Sequence, residues 1–385
     1  MMFLSILWFI LIGVLWAVYL VLEGFDFGVG MLLPIMGRNG KDRTAMVRTI
    51  GPHWDGNEVW LLTAGGATFA AMPLWYATMF SGMYFALFLL LVLLIVRIVA
   101  IEWRSKINTD KWRNTWDTIH TISAYGVPLI LGVAFSNLVQ GMKIEAQTSA
   151  VVDGSLVMTE IPADQVAGQL TDGFTVFNLT GGFWSLFTWY TIFGGITIVA
   201  VCFAHGAQFL GLKTTGELRE RAVAIGGPAS IVATVLAAGW VLWGQLAYST
   251  NNWSWIPLII AAVALVLATI NAQKSIAKEG WAFTFSSIGI VSAVAWVFSS
   301  MAPYVMKSAI DPAYSLTIDW ASSTHSTLVV MTWVAVLLVP VVIAYTIWSY
   351  WVFRRRIDPD DVDNSTGLLP DSVRVNANFL TGKQA

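Results

Sequence analysis

The chain has 385 residues, of which 57% are hydrophobic and only 11% are charged, and its formal net charge is −2 at pH 7. Soluble domains carry about 25% charged residues, so this composition indicates an integral membrane protein. The near-zero net charge argues against a nucleic-acid partner, and the single cysteine, Cys202, excludes an internal disulfide and a cluster held by several cysteines.

Nine apolar segments are long enough to cross a bilayer, which takes about 20 residues in a helix. They are too long and too uniform for barrel strands, so the predicted fold class is an all-α integral membrane protein with nine transmembrane helices. The first segment lacks a basic start and a cleavage site, which indicates an uncleaved span. The segments cover 4–24 (a continuation to 36 is left open), 53–72, 79–101, 118–140, 183–206, 223–247, 256–273, 281–302 and 326–352.

The distribution of basic residues predicts the orientation of these helices. Lys and Arg follow every odd-numbered segment, whereas the loops 141–182 and 303–325 contain few of them. We therefore predict that the N-terminus lies outside and the C-terminus in the cytoplasm. A single transmembrane domain at 1–357, with 141–182 as its outer loop, precedes a polar cytoplasmic tail at 358–385. The loop lengths are compatible with two four-helix bundles plus one extra helix.

Two pairs of acidic residues lie on the predicted cytoplasmic side. VLEGFDFGVG contains Glu23 and Asp26, and HWDGNEVW contains Asp55 and Glu58 beside His53. The members of each pair are three residues apart, so they share one face of a helix. Neighbouring carboxylates in a region of low dielectric cannot all be ionised at modest cost, and one of them tends to hold and exchange a proton. The pattern therefore favours a proton pathway.

A structural role explains the same acids in another way. Asp55 would cap the N-terminus of a helix. Glu58 or Glu23 would pair with Arg48, with Arg97 or with a partner subunit. The sequence leaves the proton pathway and this structural role open.

The four histidines test whether the chain holds haem, whose axial ligands include His and Met. They all lie near the ends of predicted segments, three on the cytoplasmic side and one outside, which disfavours a facing pair at one depth. Hydrogen bonding at the membrane interface is the favoured role. No catalytic residue and no metal site are predicted on this chain. The histidines are His53, His120, His205 and His325.

Glycines and tryptophans near the acidic pairs allow two uses each. The glycines of GFDFGVG and TAGGA permit either close helix packing or a break in a helix, and close packing is favoured. Trp54 and Trp60 either line an apolar passage or only pack against their neighbours.

Several stretches together resemble subunit II of the cytochrome bd ubiquinol oxidase family. They are GFDFGVG, GPHWDGNEVWLLTAGGATFAAMP, HGAQFLGLKTTGELRERA and SLTIDWASSTHSTLVVMTWVAVLLVP, with WRSKI and WRNTWD between the second and the third. The resemblance runs in order over nearly the whole chain, and PHWDGN is its most specific part.

The resemblance implies a subunit of a heterodimeric terminal oxidase in the bacterial inner membrane. Such an enzyme oxidises quinol near the outer face and reduces dioxygen to water with cytoplasmic protons, which generates a proton-motive force without pumping. Haem b and haem d (or a further haem b) belong to subunit I. Subunit II supports assembly and haem binding, helps to carry protons and oxygen, and in some members holds a structural quinone. A very small extra subunit is often present.

The resemblance also assigns roles to particular residues. Asp55, with Trp54 beside it, matches the proton-path carboxylate of the family, and Trp60 matches a position associated with an oxygen route. Glu23 and Asp26 match the acidic pair of the first helix.

Glu58 departs from the family pattern, in which Gln often stands at this place, so it either adds a proton site or pairs with an arginine. Two rival functions remain. A proton-coupled transporter would also carry intramembrane carboxylates, but with inverted repeats and broken helices. A purely structural scaffold predicts that Asp55→Asn leaves turnover of the assembled enzyme intact.

Overall fold

Long helices make up most of the fold. The computed structural model describes residues 2–152, 155–169, 175–363 and 367–368. The α-helices in these ranges are α1 Met2–Met36, α2 Gly40–Ile50, α3 Trp54–Ala71, α4 Pro73–Gly82, α5 Tyr84–Trp103, α6 Asp110–Gln140, α7 Val166–Gln169, α8 Trp189–Lys213, α9 Gly216–Ala247, α10 Trp255–Ala272, α11 Glu279–Met301, α12 Ile318–Ala321 and α13 His325–Val352.

Eight helices of the described ranges are long and apolar enough to cross a membrane: α1, α5, α6, α8, α9, α10, α11 and α13. A mostly helical, multi-pass membrane protein is therefore confirmed. The predicted segment 53–72 corresponds to α3, which is not among the eight. The helix α3 has only 18 residues, and the polar residues of its first turns and its glycines leave it without the long apolar stretch that the other eight contain. The predicted number of nine spans thus stays a prediction.

The ends of several helices differ from the sequence prediction because local caps set them. The first helix runs unbroken to Met36, so its acidic pair lies inside the helix and not at its end. The helix α6 starts eight residues before the predicted segment, where the Thr109 hydroxyl accepts a hydrogen bond from the Trp112 N–H at 3.3 Å. At α8, Thr188 and Thr191 form a reciprocal capping box.

The helix α1 lies at the centre of the fold and packs against α3, α6, α8 and α11. Its closest approach is to α8, where a Cβ atom added to Gly28 would lie 2.1 Å from the Cys202 carbonyl oxygen and 2.6 Å from the Gly206 Cα. Only glycine fits so close a crossing of two backbones. In GFDFGVG the glycine at this crossing therefore serves close packing and not a break in the helix.

Two small antiparallel sheets lie at one end of the molecule, which we call the sheet end. The all-α prediction did not include them. In β1, Ile144 and Ala146 are buried whereas Glu145 and Gln147 are partly exposed, an alternation typical of a half-buried strand. The strands are β1 Ile144–Val152, β2 Ser155–Glu160 and β3 Thr175–Leu179 in the order β2-β1-β3, and β4 Tyr304–Met306 paired with β5 Leu316–Thr317.

The opposite end carries α2 and the segment that follows α13, and we call it the basic end. The Ile357 N–H donates to the Lys213 carbonyl oxygen at 2.8 Å, and the Asn108 N–H donates to the Leu368 carbonyl oxygen at 2.9 Å. The segment after α13 therefore runs across this end, bound to the ends of other helices. Most of the predicted tail at 358–385 lies outside the described residues.

Candidate functional site

The predicted pathway residues gather at the basic end, where α1, α3, α5 and α13 meet. Glu23 and Asp26 lie in α1 and are fully buried. Asp55 and Glu58 lie in the first two turns of α3, and His53 directly precedes this helix. The structure thus brings both acidic pairs to one region of the fold.

Arg97 of α5 is the positive centre of this region. Its guanidinium is fully buried and forms an ion pair with Glu23. The Arg97 Nη1 atom lies 3.8 Å from the Glu58 Oε2 atom, and the guanidinium carbon lies 4.6 Å from the centre of the Phe27 ring. The predicted pairing of Glu23 and Glu58 with Arg97 is therefore confirmed, and one guanidinium links α1, α3 and α5.

A second set of contacts joins α1 to α3 and α13 through Asp26. The Asn57 Nδ2 atom donates to the Asp26 Oδ2 atom at 2.8 Å. The Tyr350 hydroxyl donates to the Asn57 Oδ1 atom at 2.8 Å. The His53 ring stacks on the Tyr350 ring with 4.0 Å between centroids. The sequence analysis did not identify Tyr350, since nothing in the local pattern of α13 points to a site 293 residues away.

Asp55 occupies a different environment from the other acids. It is exposed, and it forms no hydrogen bond or ion pair with the residues that the structure describes. The N-cap of α3 is His53, and its side chain makes no capping hydrogen bond. The predicted capping role of Asp55 is therefore wrong, although a carboxylate in the first turn still interacts favourably with the helix dipole. Arg48, the other predicted partner, donates instead to the Asp363 carbonyl oxygen at 3.3 Å.

Burial increases stepwise from Asp55 to the inner acids. Asp55 is exposed, the side chain of Glu58 is 14% exposed and that of Glu23 is 0% exposed. Buried polar atoms normally have a hydrogen-bond partner in the protein or in water. Several buried polar atoms of the site have none among the described residues: the acceptors Glu23 Oε2, Asp26 Oδ1 and Glu58 Oε2, the Tyr19 hydroxyl, both ring nitrogens of His53, and the donors Arg97 Nε and Nη2. The carboxylate oxygens in this set can hold water or a mobile proton, whereas the arginine nitrogens can only donate.

The histidines do not fit an axial ligand set for haem. His205 is engaged on both ring nitrogens, with Nδ1 2.7 Å from the Ser286 hydroxyl and Nε2 3.2 Å from the Val21 carbonyl oxygen. A Cβ atom added to Gly30 would lie 2.8 Å from the His120 Nε2 atom, so this nitrogen packs against α1.

The two remaining histidines fit haem no better. His53 lies flat against Tyr350, and His325 is exposed at the start of α13. Within the described ranges, no group of three or more His, Cys, Asp or Glu could hold a metal ion. His205 forms hydrogen bonds, but it is fully buried between α1, α8 and α11, and a role of the histidines at the membrane interface stays a prediction. That haem binds to the partner subunit and not to this chain stays a prediction.

The two tryptophans predicted for an oxygen route are both largely buried. Trp54 is 9% exposed and packs in a small apolar cluster at the basic end, and Trp60 is 8% exposed and belongs to the main core. Packing describes both residues, and the oxygen route stays a prediction.

Comparison with known proteins identifies the class to which this fold and site belong. The structure is similar to that of a bd oxidase from Geobacillus thermodenitrificans, with a TM-score of 0.64 and 14% sequence identity over 91% of this chain and 99% of that chain. At this identity the likeness shows the fold alone, which is that of the multi-helix bd oxidase chain.

Sequence comparison gives the family. The family model described as cytochrome bd terminal oxidase subunit II matches residues 4–353. Cytochrome bd-I ubiquinol oxidase subunit 2 from Escherichia coli (strain K12) is 36% identical over 399 residues, covering 95% of this chain and 98% of the relative. Cytochrome bd ubiquinol oxidase subunit 2 from Bacillus subtilis (strain 168) is 38% identical over 357 residues, covering 91% and 96%.

The chain therefore belongs to the cytochrome bd terminal oxidase subunit II family. The family relationship predicted from the motifs is confirmed, and it makes this chain a transmembrane subunit of a respiratory oxidoreductase complex that contains haem.

Proposed function

We propose that the chain is subunit II of a cytochrome bd-type quinol oxidase in the bacterial inner membrane. The complex oxidises quinol, reduces dioxygen to water and generates a proton-motive force without pumping. In it, this chain supports assembly and haem binding of subunit I and helps to deliver cytoplasmic protons. The relatives from Escherichia coli and Bacillus subtilis are subunits of ubiquinol oxidases, which supports the substrate and the partner.

The stepwise burial of the acids is the observation that carries the proton-delivery role. The exposed Asp55 lies three residues before Glu58, which approaches the same guanidinium as the fully buried Glu23. Asp26 follows three residues after Glu23. A proton taken up at Asp55 thus has carboxylates at increasing depth, and chains of acidic groups of this kind form proton relays in membranes. His53 lies at the mouth of the site.

The orientation follows from the same proposal. The basic end faces the cytoplasm, as its arginines and lysines favour, and the N-terminus lies outside. The helix α3 also crosses the membrane, which raises the number of spans from eight to nine. The helices α1, α3, α5 and α6 would form one bundle and α8 to α11 the second, with α13 as the extra helix. The contacts of α5 with α6 and of α1 with α3 lie within the first bundle, and those of α8 with α9 and of α10 with α11 lie within the second, while α1 and α6 also pack against α8 and join the two bundles. One domain at 1–357 and a cytoplasmic tail at 358–385 complete it.

Cofactors and partners of the complex follow from the family. We place haem b and haem d (or a further haem b) in subunit I, and we expect a very small extra subunit. Trp60 and Trp54 would lie along an oxygen route. A structural quinone needs an apolar space, and a cavity of about 170 Å³ lined by α8, α9, α10 and α11 is the candidate for its tail.

A purely structural scaffold is the second candidate, and one observation favours it. Arg97 ties together α1, α3 and α5 through Glu23 and Glu58, and Asp55 has no contact with the described residues that would orient it toward a proton donor. A scaffold needs the link that Arg97 makes between the three helices, but it does not need Asp55. The two candidates therefore differ in the role of this exposed carboxylate.

The Asp55→Asn variant decides between them. The complex is purified through a tag on this chain, and its haem spectrum and quinol-driven oxygen consumption are recorded on one sample. Normal haem content with turnover lowered at least about tenfold supports proton delivery. Normal haem with normal turnover refutes it and leaves the scaffold. Asp110→Asn is the matched control, because Asp110 is also exposed in the first turn of a helix at the basic end.

Lost haem in Asp55→Asn would assign this residue to assembly, and absence of any haem protein with the unmutated chain would contradict the oxidase function itself. Asp110→Asn is expected to keep both haem and turnover in every case.

A further inference from the structure

Tyr350 is held in the acid site more firmly than the rest of its helix is held in the fold. Among the described side chains of α13, only Leu328 is buried. Tyr350 nevertheless stacks on His53 with an angle of 3° between the ring planes, meets the Phe25 ring edge-on and donates its hydroxyl hydrogen to Asn57. Specific contacts, and not general packing of α13, therefore place this tyrosine.

Contacts on both sides fix the Asn57 amide. Its Nδ2 atom faces two acceptors, Asp26 Oδ2 at 2.8 Å and the Leu22 carbonyl oxygen at 3.4 Å, and its Oδ1 atom accepts from the Tyr350 hydroxyl at 2.8 Å. A half-turn of the amide would bring its carbonyl oxygen against the Asp26 carboxylate, and two acceptors would then face each other. The two acceptors thus select the orientation, and the hydrogen bond from Tyr350 holds the amide in place against Asp26.

The fixed amide makes the two oxygens of Asp26 unequal. The Oδ2 atom accepts the hydrogen bond from Asn57. The Oδ1 atom is buried and receives no hydrogen bond from an N–H or O–H group of the described residues, and the Glu23 carboxyl lies within hydrogen-bond reach of the Asp26 carboxyl. A hydrogen bond to a charged group is worth more than one between neutral groups, so the bonded oxygen favours the ionised carboxylate while the other oxygen is open to a proton.

We infer that Tyr350 is a positioning residue of the proton pathway: through Asn57 it holds Asp26 so that Oδ2 accepts a fixed hydrogen bond and Oδ1 exchanges the proton. This inference rests on the proposed function and names a further residue of the same site. It also connects the site to α13, a helix most of whose side chains are exposed.

Other groups around Asp26 contribute to its charge and stay in place in the test. The titratable and charged side chains that interact with it or with its neighbours are Tyr19 and Glu23 on α1, His53 directly before α3, Asp55 and Glu58 on α3, Arg97 on α5, Cys202 on α8 and Tyr350 itself on α13. A substitution that removes only the tyrosine hydroxyl leaves all other members of this set unchanged.

The Tyr350→Phe variant, purified as the complex with subunit I, tests the inference through the pH profile of quinol-driven oxygen consumption. We expect a normal haem spectrum, a maximal rate within about threefold of the parent and a profile shifted by about one pH unit toward alkaline pH, because a less well oriented amide stabilises the ionised carboxylate less. A residue that only packs would not move the profile. An unmoved profile with normal haem overturns the inference.

Tyr190→Phe is the matched control. Tyr190 is 1% exposed, and its hydroxyl has no hydrogen-bond partner within the described ranges, so the same chemical change is made without breaking a bond of the site. Its profile is expected to match that of the parent. A shift as large as that of Tyr350→Phe would overturn the inference, because the effect would then be general.

A double variant shows whether Tyr350 acts through Asn57. In an Asn57→Ala background, Tyr350→Phe is expected to add no further shift, and a full additional shift overturns the inference. Loss of haem in Tyr350→Phe would make Tyr350 an assembly residue and would also overturn the inference.

The outcome is separable from that of the proposed function. If Asp55→Asn keeps normal haem and full turnover, proton delivery itself is refuted and Tyr350 has no pathway to serve. If Asp55→Asn loses turnover while Tyr350→Phe leaves the profile unmoved, the proposed function stands and only the role of Tyr350 falls.

Discussion

Replacing Arg97 by glutamine removes the positive centre of the acid site while keeping most of its volume. In the structure this guanidinium is fully buried, pairs with the equally buried Glu23 and lies 3.8 Å from Glu58. Breaking a buried ion pair by removing one partner costs about 3–5 kcal/mol, because the other charge stays buried without compensation. We expect Arg97→Gln to destabilise the chain by this amount.

The cost converts into a melting temperature through the size of the chain. Unfolding entropy is about 2.1 cal/mol/K per residue, and the chain has 385 residues. A loss of about 3–5 kcal/mol then lowers the melting midpoint by about 4–6 °C. The double variant Arg97→Gln with Glu23→Gln also removes the buried Glu23 carboxylate that has lost its partner. It should recover at least half of the stability that Arg97→Gln loses. The double variant therefore measures the coupling of the pair directly.

The assay is thermal unfolding of the purified complex in detergent, with haem absorbance as a second readout. Arg38→Gln is the matched control, because Arg38 lies at the basic end with an exposed side chain that forms no ion pair with the described residues. Substitutions at such surface positions usually change stability by about 0.5 kcal/mol or less, so the control should shift the midpoint by about 1 °C or less. A midpoint for Arg97→Gln within 1 °C of the parent, or no recovery in the double variant, would refute the reasoning.

Two further predictions concern the packing of the helices and the sheet end. Gly28→Ala should abolish assembly of the haem complex, because its Cβ atom would lie 2.1 Å from the Cys202 carbonyl oxygen; Gly280→Ala, which meets nothing within 4 Å, should assemble normally by haem absorbance. Burial lowers the pKa of Lys307 from 10.5 to about 8, so the unfolded state binds more protons between these values and stability rises with pH across that window. Lys307→Met should remove this rise in melting curves taken from pH 7.5 to 10, and an unchanged rise would contradict the assignment.

Features that depend on local composition were predictable from the sequence. Eight of the predicted spans correspond to long apolar helices. An apolar segment of about 20 residues in a bilayer forms a helix because its backbone N–H and C=O groups can then bond to each other in the absence of water. The pairing of Glu23 and Glu58 with Arg97 was among the predicted alternatives, since a buried carboxylate needs a positive partner and few are present in the spans.

Features that depend on tertiary contacts were not predictable. Tyr350 contacts Asn57, which is 293 residues away in the sequence. This contact depends on how α13 packs against α3 and not on the sequence pattern of α13. Asp55 is a preferred N-cap residue by type, yet α3 begins one residue earlier, at Trp54, and leaves it in the first turn. The strand β1 alternates as a strand should, but its burial depends on β3 and on Ser308, whose hydroxyl donates to the Ile144 carbonyl oxygen at 2.7 Å.

The chemistry of the acid site itself bears on the choice between a scaffold and a proton pathway. Holding α1, α3 and α5 together does not require charge, since apolar side chains of similar volume in place of a buried ion pair are often neutral or stabilising. The site nevertheless places three carboxylates, those of Glu23, Asp26 and Glu58, around the single guanidinium of Arg97. One positive charge compensates one carboxylate, and two uncompensated negative charges in a region of low dielectric would be very costly. The site therefore favours states in which its carboxylates carry a shared proton, and a proton that several neighbouring oxygens hold is one that can move inward when dioxygen reduction consumes it. A scaffold gains nothing from this surplus of acids, whereas a proton pathway needs it.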